Sequence, residues 1–197
     1  MNSTSMPSNV VENYLKAIYH LSDELGGKVN TNAIAEHLSV KSSTVTDMMK
    51  KLEQMKLVKY EKYQGVELTK SGRNTAINVV RKHRLWEVFL VEKLHFNWSE
   101  VHAVAEQLEH VESPELIDKL DEFLEFPKWD PHGDPIPNKL GVMEKREQTQ
   151  LSLLKPGDQA VMLGVSQDNK SLLQYLESIQ LTLGNTILIL NYFEFDN

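Results

Sequence analysis

The chain has 197 residues, 41% hydrophobic and 25% charged, which is enough to bury a core in one large domain or in two to three small ones. It holds no run of about 18 apolar residues, which argues against a membrane span, and residues 1–7 lack the basic and apolar regions of a secretion signal. Cysteine is absent, which excludes disulfides, thiolate zinc sites and cysteine nucleophiles and is typical of a cytoplasmic protein.

The net charge of −7 is unevenly distributed along the chain. Residues 1–75 carry 10 Lys+Arg against 8 Asp+Glu, whereas residues 76–197 carry 11 against 20. A mildly basic N-terminal part followed by an acidic remainder favours a DNA-binding module joined to a segment that binds cations.

The first 55 residues are predicted to form three helices. Apolar residues recur at helical spacing over residues 8–23, and Gly26-Gly27 follows that segment. Thr31 is predicted to cap a second helix over residues 32–38, and a third begins at Ser42 or Ser43 and ends near residue 55. Two short helices joined by a tight turn are typical of a helix-turn-helix.

A β-hairpin is predicted next, with strands at residues 57–63 and 66–69 around Gln64-Gly65, which completes a winged helix-turn-helix. Such a domain places its second motif helix in the major groove, while winged helices also serve as protein-binding modules. The predicted DNA contacts are the polar start of the third helix and the lysines beside it: Lys41, Ser42, Ser43, Thr44, Thr46, Asp47, Lys50, Lys51, Lys59 and Lys62.

Candidate metal ligands occur on two later helices. On a long helix predicted over residues 73–94, His83 and Glu87 are four residues apart and share a face, although His83 in a basic run is by itself expected to be a surface or phosphate-contacting residue. On a helix predicted over residues 101–111, one face is polar and can bring two carboxylates and an imidazole to a divalent metal. The alternative is a solvated or ion-paired face. The polar residues are His102, Glu106, Glu109 and His110.

Downstream of a helix predicted over residues 115–126, four prolines within residues 127–137 predict an extended loop. Asp130 and His132 are candidate ligands on this stiff backbone, or else solvated side chains of a rigid connector. Residues 142–151 are predicted to form a polar linking helix or tether. Strands over residues 159–165, 187–190 and 192–195, with a helix over 171–176, follow it.

Six segments, taken in order, resemble the diphtheria-toxin-repressor/manganese-transport-regulator family of metal-activated bacterial repressors. No single segment is decisive, but the ordered set is highly specific. The segments are residues 12–19, 42–46, 68–72, 81–87, 106–110 and 131–137.

The resemblance implies two neighbouring metal sites in each subunit. One would use Glu106, Glu109 and His110, with His83 and a group at Asn13. The other would use Glu87, Asp130 and His132, with His102 and a C-terminal group for which Asp168, Gln167 and Asn169 compete. The division of His83 and His102 between the two sites is left open.

Three positions bear on which metal binds. Glu106 and Asp130 are carboxylates where iron-responsive or other family members have cysteine, which favours Mn²⁺ or Fe²⁺. Asn13 stands where members usually have Asp or Met, and a neutral amide is a weaker ligand. Because Zn²⁺, Co²⁺ and Ni²⁺ bind most such sites more tightly than Mn²⁺, these ions are expected to substitute in vitro.

The predicted fold is mainly α with small β: a winged helix-turn-helix over residues 1–75, a helical metal-binding and dimerisation domain over 76–150, and a FeoA-type small β-barrel over 151–197. The predicted function is that of a cytoplasmic homodimer that binds double-stranded operator DNA when Mn²⁺ or Fe²⁺ is bound and represses metal-uptake genes. The alternatives are a metal-dependent hydrolase, for which no separate nucleophile or phosphate-binding glycine loop is found, and a winged helix that senses an organic ligand.

Overall fold

A computed structural model describes residues 8–62, 64–165 and 169–191. Over these ranges the protein is mainly helical with two small antiparallel sheets, as predicted. It divides into two compact units, one formed by residues up to 82 together with 109–112, and the other by residues 83–108 and those from 113 onwards. Within the described residues, no helix is both long enough and apolar enough to cross a membrane.

The first unit contains the three predicted helices, the hairpin and the start of a long fourth helix. The strands β1 and β2 pair antiparallel, with Val58 opposite Leu68. Apolar side chains of all three short helices, among them Leu15, Ile34 and Met49, are fully buried in its core. The elements are α1 (Asn9–Leu25), α2 (Thr31–His37), α3 (Ser42–Gln54), β1 (Val58–Glu61), β2 (Gly65–Leu68) and α4 (Lys70–Leu94).

Two helix ends in this unit show how local residues set its boundaries. α1 ends at Gly26, which adopts a left-handed conformation (φ 67°), as the Gly26-Gly27 pair predicts. The prediction that Thr31 caps α2 is wrong. Asn30, in an extended conformation, caps it instead, because its side-chain oxygen accepts the Ala33 N–H at 2.8 Å while Thr31 already begins the helix.

The start of α4 lies close against the hairpin. The Thr69 hydroxyl donates to the Leu57 carbonyl oxygen at 3.1 Å and accepts the Gly72 N–H at 3.1 Å. A Cβ at Gly72 would lie 1.9 Å from the Leu57 oxygen, so only glycine fits there.

The second unit contains the rest of α4 and three more helices. Buried Leu85 and Val88 of α4 pack with Ile117 and Leu120, which lie on the helix over Pro114–Phe123, and with Ile136 of the proline-rich loop. This cluster fixes the loop against α4. The elements are α5 (Val101–Leu108), α6 (Pro114–Phe123), β3 (Gln159–Val161), α7 (Lys170–Ser178) and β4 (Thr186–Leu188).

The predicted helix over residues 101–111 is shorter in the structure, since α5 ends at Leu108. Ser113 caps α6 by accepting the Leu116 N–H, and Pro114 is the first residue of α6, so the chain must turn over residues 109–112. Of the two forms predicted for residues 142–151, the tether is observed, with only a 3-10 turn at Leu151–Leu153. The strand predicted over residues 192–195 lies outside the described residues.

The proline-rich loop is irregular, as its prolines predict, but it is well held. Trp129 and Pro135 form an isolated β-bridge across it. Arg146 of the tether lies 3.9 Å above the Trp129 ring and donates to the carbonyl oxygen of Gly133 at 2.6 Å. The loop therefore presents Asp130 and His132 from a fixed backbone.

Candidate metal centre

Three buried side chains converge in the second unit, where α4 meets the proline-rich loop. We call Glu87, Asp130 and His132 the buried trio. Each is at most 3% exposed, and one ligand atom of each lies within 4.8 Å of the others. The Nδ1 atom of His132 lies 3.6 Å from Oε2 of Glu87. The family resemblance implies a site that contains these three residues.

Hydrogen bonds determine which atoms of the loop face the trio. One carboxylate oxygen of Asp130, Oδ1, accepts the backbone N–H groups of His132 at 2.8 Å and Asp134 at 2.9 Å. His132 Nε2 lies 2.9 Å from the carbonyl oxygen of Trp98, to which it donates. These bonds leave Asp130 Oδ2 and His132 Nδ1 for the interior of the trio. The Trp98 carbonyl oxygen orients His132, and because it is a backbone group, this role was not predictable from residue type.

The atoms that face the interior of the trio lack hydrogen-bond partners. Glu87 Oε2, Asp130 Oδ2 and His132 Nδ1 are all buried without one, which is costly for polar atoms. A divalent cation with oxygen and nitrogen ligands satisfies all three at once, so the residues present fit a metal ion. The Arg84 guanidinium, 3.5 Å from Asp130 Oδ2, is a positive group beside them.

A second group shares Glu87 with the trio. His83 Nε2 lies 3.1 Å from Glu87 Oε1 and 3.1 Å from His102 Nδ1, which itself lies 3.4 Å from the same Glu87 oxygen. Ligand atoms of His83, Glu87 and His102 also lie within 4.8 Å of one another. On the far side of the half-exposed His102 ring, Nε2 lies 3.5 Å from Glu106 Oε1. Glu87 thus turns one oxygen to each group.

Charge is concentrated in these groups. Burial alone would raise the pKa of Glu87, but the nearby imidazoles of His102, His132 and His83 hold that pKa well below its usual range. Burial, followed by the Glu87 charge, raises the pKa of Asp130 to about 7. Hydrogen bonds to Glu106 and Glu87 raise the pKa of His102 to about 9. Burial alone would lower the pKa of His132, but the Glu87 carboxylate, 3.6 Å from Nδ1, raises it.

The other predicted ligands have different surroundings. Glu109 and His110 belong to the first unit, where Glu109 pairs with Lys16 and His110 with Glu12. Asn13 lies on the exposed side of α1. Asp168 lies outside the described residues. Among the described residues, the potential metal-binding groups of three are the two that contain Glu87.

Sequence reasoning missed the roles of Glu12 and Lys16. Both lie on α1, four residues apart, at the border of its buried face, which includes Val11 and Leu15. That i, i+4 spacing was the available signal, because one carboxylate and one ammonium on the same face can reach a common partner. It did not indicate which partner, since Glu109 is 93 residues from Lys16.

The predicted DNA contacts lie along α3, from its N-cap Lys41 to its last turn, and along the hairpin. Lys41, Ser43, Thr44 and Asp47 are exposed, and so are the lysines at positions 50, 51, 59 and 62. Other polar groups are partly engaged: the Ser42 hydroxyl donates to the Asn32 side-chain oxygen at 3.1 Å, and the Thr46 hydroxyl donates to the Ser42 carbonyl oxygen at 3.0 Å.

Two family models match most of the chain. The iron dependent repressor N-terminal DNA binding domain matches residues 6–66, and the iron dependent repressor metal binding and dimerisation domain matches residues 69–138. A solved manganese-dependent transcriptional repressor, in complex with manganese, is 38% identical with a TM-score of 0.84, and the alignment covers 94% of this chain and 85% of that one. The chain belongs to the iron-dependent repressor family.

Other members of the iron-dependent repressor family are also similar. ScaR, solved with bound Cd²⁺, is 37% identical with a TM-score of 0.76 over 96% of this chain and 87% of that chain. The iron-dependent repressor IdeR of Mycobacterium tuberculosis is 39% identical over 136 residues, which are 68% of this chain and 59% of IdeR. The match thus spans less than two thirds of IdeR. This family is one of regulators, so the hydrolase alternative finds no support.

Proposed function

We propose that this chain is a metal-activated transcriptional repressor that binds operator DNA as a homodimer when Mn²⁺ or Fe²⁺ occupies the centre around Glu87. The observation that carries the proposal is the buried trio, whose three inward ligand atoms lack hydrogen-bond partners, in a chain whose residues 6–66 match a DNA-binding domain. The similarity to solved manganese-dependent transcriptional repressors supports it.

On DNA, the exposed start of α3 is proposed to enter the major groove. Ser43 and Thr44 offer short hydroxyl groups to base edges, and Lys50, Lys51 and Lys62 offer ammonium groups to phosphates. Two copies of this surface are required for successive grooves, which is the reason for proposing a homodimer. The dimerisation domain in the matched family model supports this proposal.

The centre is proposed to act by holding the proline-rich loop and α5 against α4. Glu87 is the shared element, since one of its oxygens faces the loop and the other faces His83 and His102. Bound Mn²⁺ or Fe²⁺ supplies the positive charge that offsets the Glu87 and Asp130 carboxylates. With that charge offset, Asp130 and His132 hold the loop to α4, and His102 holds α5 to it. A coupling of about 1–3 kcal/mol changes DNA affinity about 5- to 150-fold.

Of the remaining predicted ligands, Glu106 is proposed to complete the group of His83, Glu87 and His102, because it lies 3.5 Å from His102. Asp168 is proposed to reach the buried trio from the C-terminal segment. Mn²⁺ or Fe²⁺ is proposed as the effector because the ligands are oxygen and nitrogen atoms without thiolate. Regulation of metal-uptake genes is the corresponding role.

The domain organisation proposed for the chain is a winged helix-turn-helix over residues 1–75, a helical metal-binding and dimerisation domain over residues 76–150, and a small FeoA-type β-barrel over residues 151–197. The β3–β4 pair supports the last of these. A cytoplasmic location is proposed because the proposed ligand is genomic DNA.

The proposal is tested with metal-stripped protein. Double-stranded DNA selected from a random pool in the presence of Mn²⁺ serves as the fluorescent probe, and anisotropy measures the affinity with and without Mn²⁺. We expect Mn²⁺ to tighten DNA binding by about 5- to 150-fold. Equal affinity in both conditions would contradict a metal switch.

A matched pair of variants on α4 locates the switch. Glu87→Gln removes the shared carboxylate charge and is expected to abolish the response to Mn²⁺. Glu92→Gln is the control, because the Glu92 side chain is half exposed and pairs only at 3.5 Å with the neighbouring Lys93. A normal response in Glu87→Gln would place the switch elsewhere.

A further inference from the structure

Glu109 already has a cation beside it. Its carboxylate is 1% exposed, and both of its oxygens accept hydrogen bonds from the Lys16 ammonium, at 2.7 Å and 2.8 Å. Lys16 itself is mostly buried, with 13% of its side chain exposed. This is a bidentate ion pair between α1 and the 109–112 turn, and both partners lie within the first unit.

A second lysine completes the charge balance around this pair. Glu12, one turn before Lys16, lies 2.6 Å from His110 Nδ1 and 3.6 Å from the Lys82 ammonium. The side chains of Glu12, Lys82 and His110 are all mostly buried. Two carboxylates therefore face two ammonium groups, and His110 donates Nδ1–H to Glu12.

These contacts do not fit the metal ligand role that the family resemblance assigns to Glu109. A divalent ion at Glu109 would compete with Lys16 for the same oxygens, and an ammonium retained nearby would repel it. Asn13, the predicted partner on α1, is neutral and exposed and adds no compensating charge.

We infer that the Lys16 ammonium takes the place of a metal ion beside Glu109, so that α1 is tied to the 109–112 turn whether or not metal is bound. The response to metal then resides in the groups that share Glu87. This inference rests on the proposed function, because a lysine in the place of a metal ion affects the response to metal only if the protein senses metal ions.

The geometry predicts what removal of the ammonium would leave. Glu109 Oε1 and His110 Nε2 lie 3.7 Å apart. Two ligand atoms at that separation can both bind one ion at about 2.0–2.2 Å. Because His110 donates Nδ1–H to Glu12, Nε2 is the ring nitrogen that remains to bind an ion. Without Lys16, an oxygen and a nitrogen ligand face each other.

The experiment counts Mn²⁺ bound to the full chain after equilibrium dialysis. We expect Lys16→Gln to bind about one ion per chain more than the wild type, because an oxygen–nitrogen ligand pair becomes available. Lys16→Arg keeps the positive charge and is expected to bind the wild-type number. If Lys16→Gln gains no ion, the inference is overturned.

Glu109→Gln gives an independent measurement. In the wild-type background it is expected to leave the number of bound ions unchanged, whereas a metal already ligated by Glu109 would be lost. Should Glu109→Gln fail to fold, as circular dichroism would reveal, the double variant Lys16→Gln/Glu109→Gln replaces the ion pair by two amides. That variant must return to the wild-type count, and retention of the extra ion would overturn the inference.

Failure of the inference and failure of the proposed function give different results. A wild type that binds no Mn²⁺ contradicts the proposed function, yet Lys16→Gln would still gain an ion if the inference holds. A wild type that loses one ion on Glu109→Gln contradicts the inference and leaves the proposed function intact.

Discussion

At the scale of single residues, Asp130 combines a structural role with a proposed ligand role. Its Oδ1 holds the loop by accepting two backbone N–H groups, while its Oδ2 is buried without a hydrogen-bond partner beside two other such atoms. A carboxylate is an unfavourable neighbour for Glu87 unless a cation separates them. The residue therefore suits a metal-bound state better than a metal-free one.

Asp130→Asn is expected to stabilise the metal-free protein and weaken metal binding. The amide keeps an oxygen for the two N–H groups, and its NH₂ group faces the trio, in which Glu87 Oε2 and His132 Nδ1 lack hydrogen-bond partners. We expect a gain of about 1 kcal/mol in the free energy of unfolding without metal. Urea denaturation with and without Mn²⁺ measures both effects.

The control for this change is Asp134→Asn in the same loop. The Asp134 side chain is 41% exposed and lies 3.7 Å from Arg84, outside the buried trio. Asp134→Asn should leave Mn²⁺ affinity nearly unchanged. Equal losses of affinity in the two variants would indicate that loop charge, rather than ligation by Asp130, controls binding.

At the scale of elements, the contact between α4 and the hairpin leaves no room for a side chain at Gly72. Gly72→Ala would place a methyl group 1.9 Å from the Leu57 carbonyl oxygen. Because backbone must move to relieve that overlap, we expect a loss of about 1–3 kcal/mol in the free energy of unfolding. Thermal or urea denaturation measures it.

Gly27→Ala is the matched control, since nothing lies within 4 Å of a Cβ at that position. It is expected to change stability by less than about 1 kcal/mol. A similar loss in both variants would show that glycine content, and not the approach of α4 to Leu57, sets the effect.

Element boundaries were predictable wherever a residue determines them by its own conformation. Gly26 ended α1, and the prolines of residues 127–137 kept the loop irregular, because both effects depend on local dihedral angles. The cap of α2 was not predictable, since Asn30 and Thr31 can both cap and only the extended conformation of Asn30 decides between them.

The candidate site was predictable in part for a similar reason. His83 and Glu87 share a face because they lie one turn apart on one helix, and Asp130 and His132 share one stiff loop. Contacts over long sequence separations were not predictable. The pairing of Lys16 with Glu109 depends on how the first unit packs, and nothing in either segment alone specifies it.

At the scale of the whole molecule, the excess of acidic residues lies in residues 76–197, which follow the DNA-binding module. The first 75 residues carry a small positive excess in a chain of net charge −7. We therefore expect non-specific attraction to DNA to be weak and the affinity for DNA to depend on a few phosphate contacts. Each such contact should be visible in the salt dependence of binding.

Lys51→Gln is expected to lower the slope of log affinity against log salt by about 1 for each subunit, because one phosphate contact is lost. Anisotropy titrations over a range of KCl concentrations measure the slope in the presence of Mn²⁺. Lys145→Gln, on the exposed tether, should leave it unchanged. Equal slopes in all three proteins would place Lys51 away from the DNA.

The two backbone hydrogen bonds to Asp130 Oδ1 also limit the number of oxygen atoms that this carboxylate can offer to an ion. With Oδ1 committed to the backbone, Asp130 can offer an ion a single oxygen, and Glu87 likewise divides its two oxygens between groups. Calcium takes about six to eight oxygen ligands and relies on bidentate carboxylates. A centre whose carboxylates each offer one oxygen is therefore expected to bind calcium poorly.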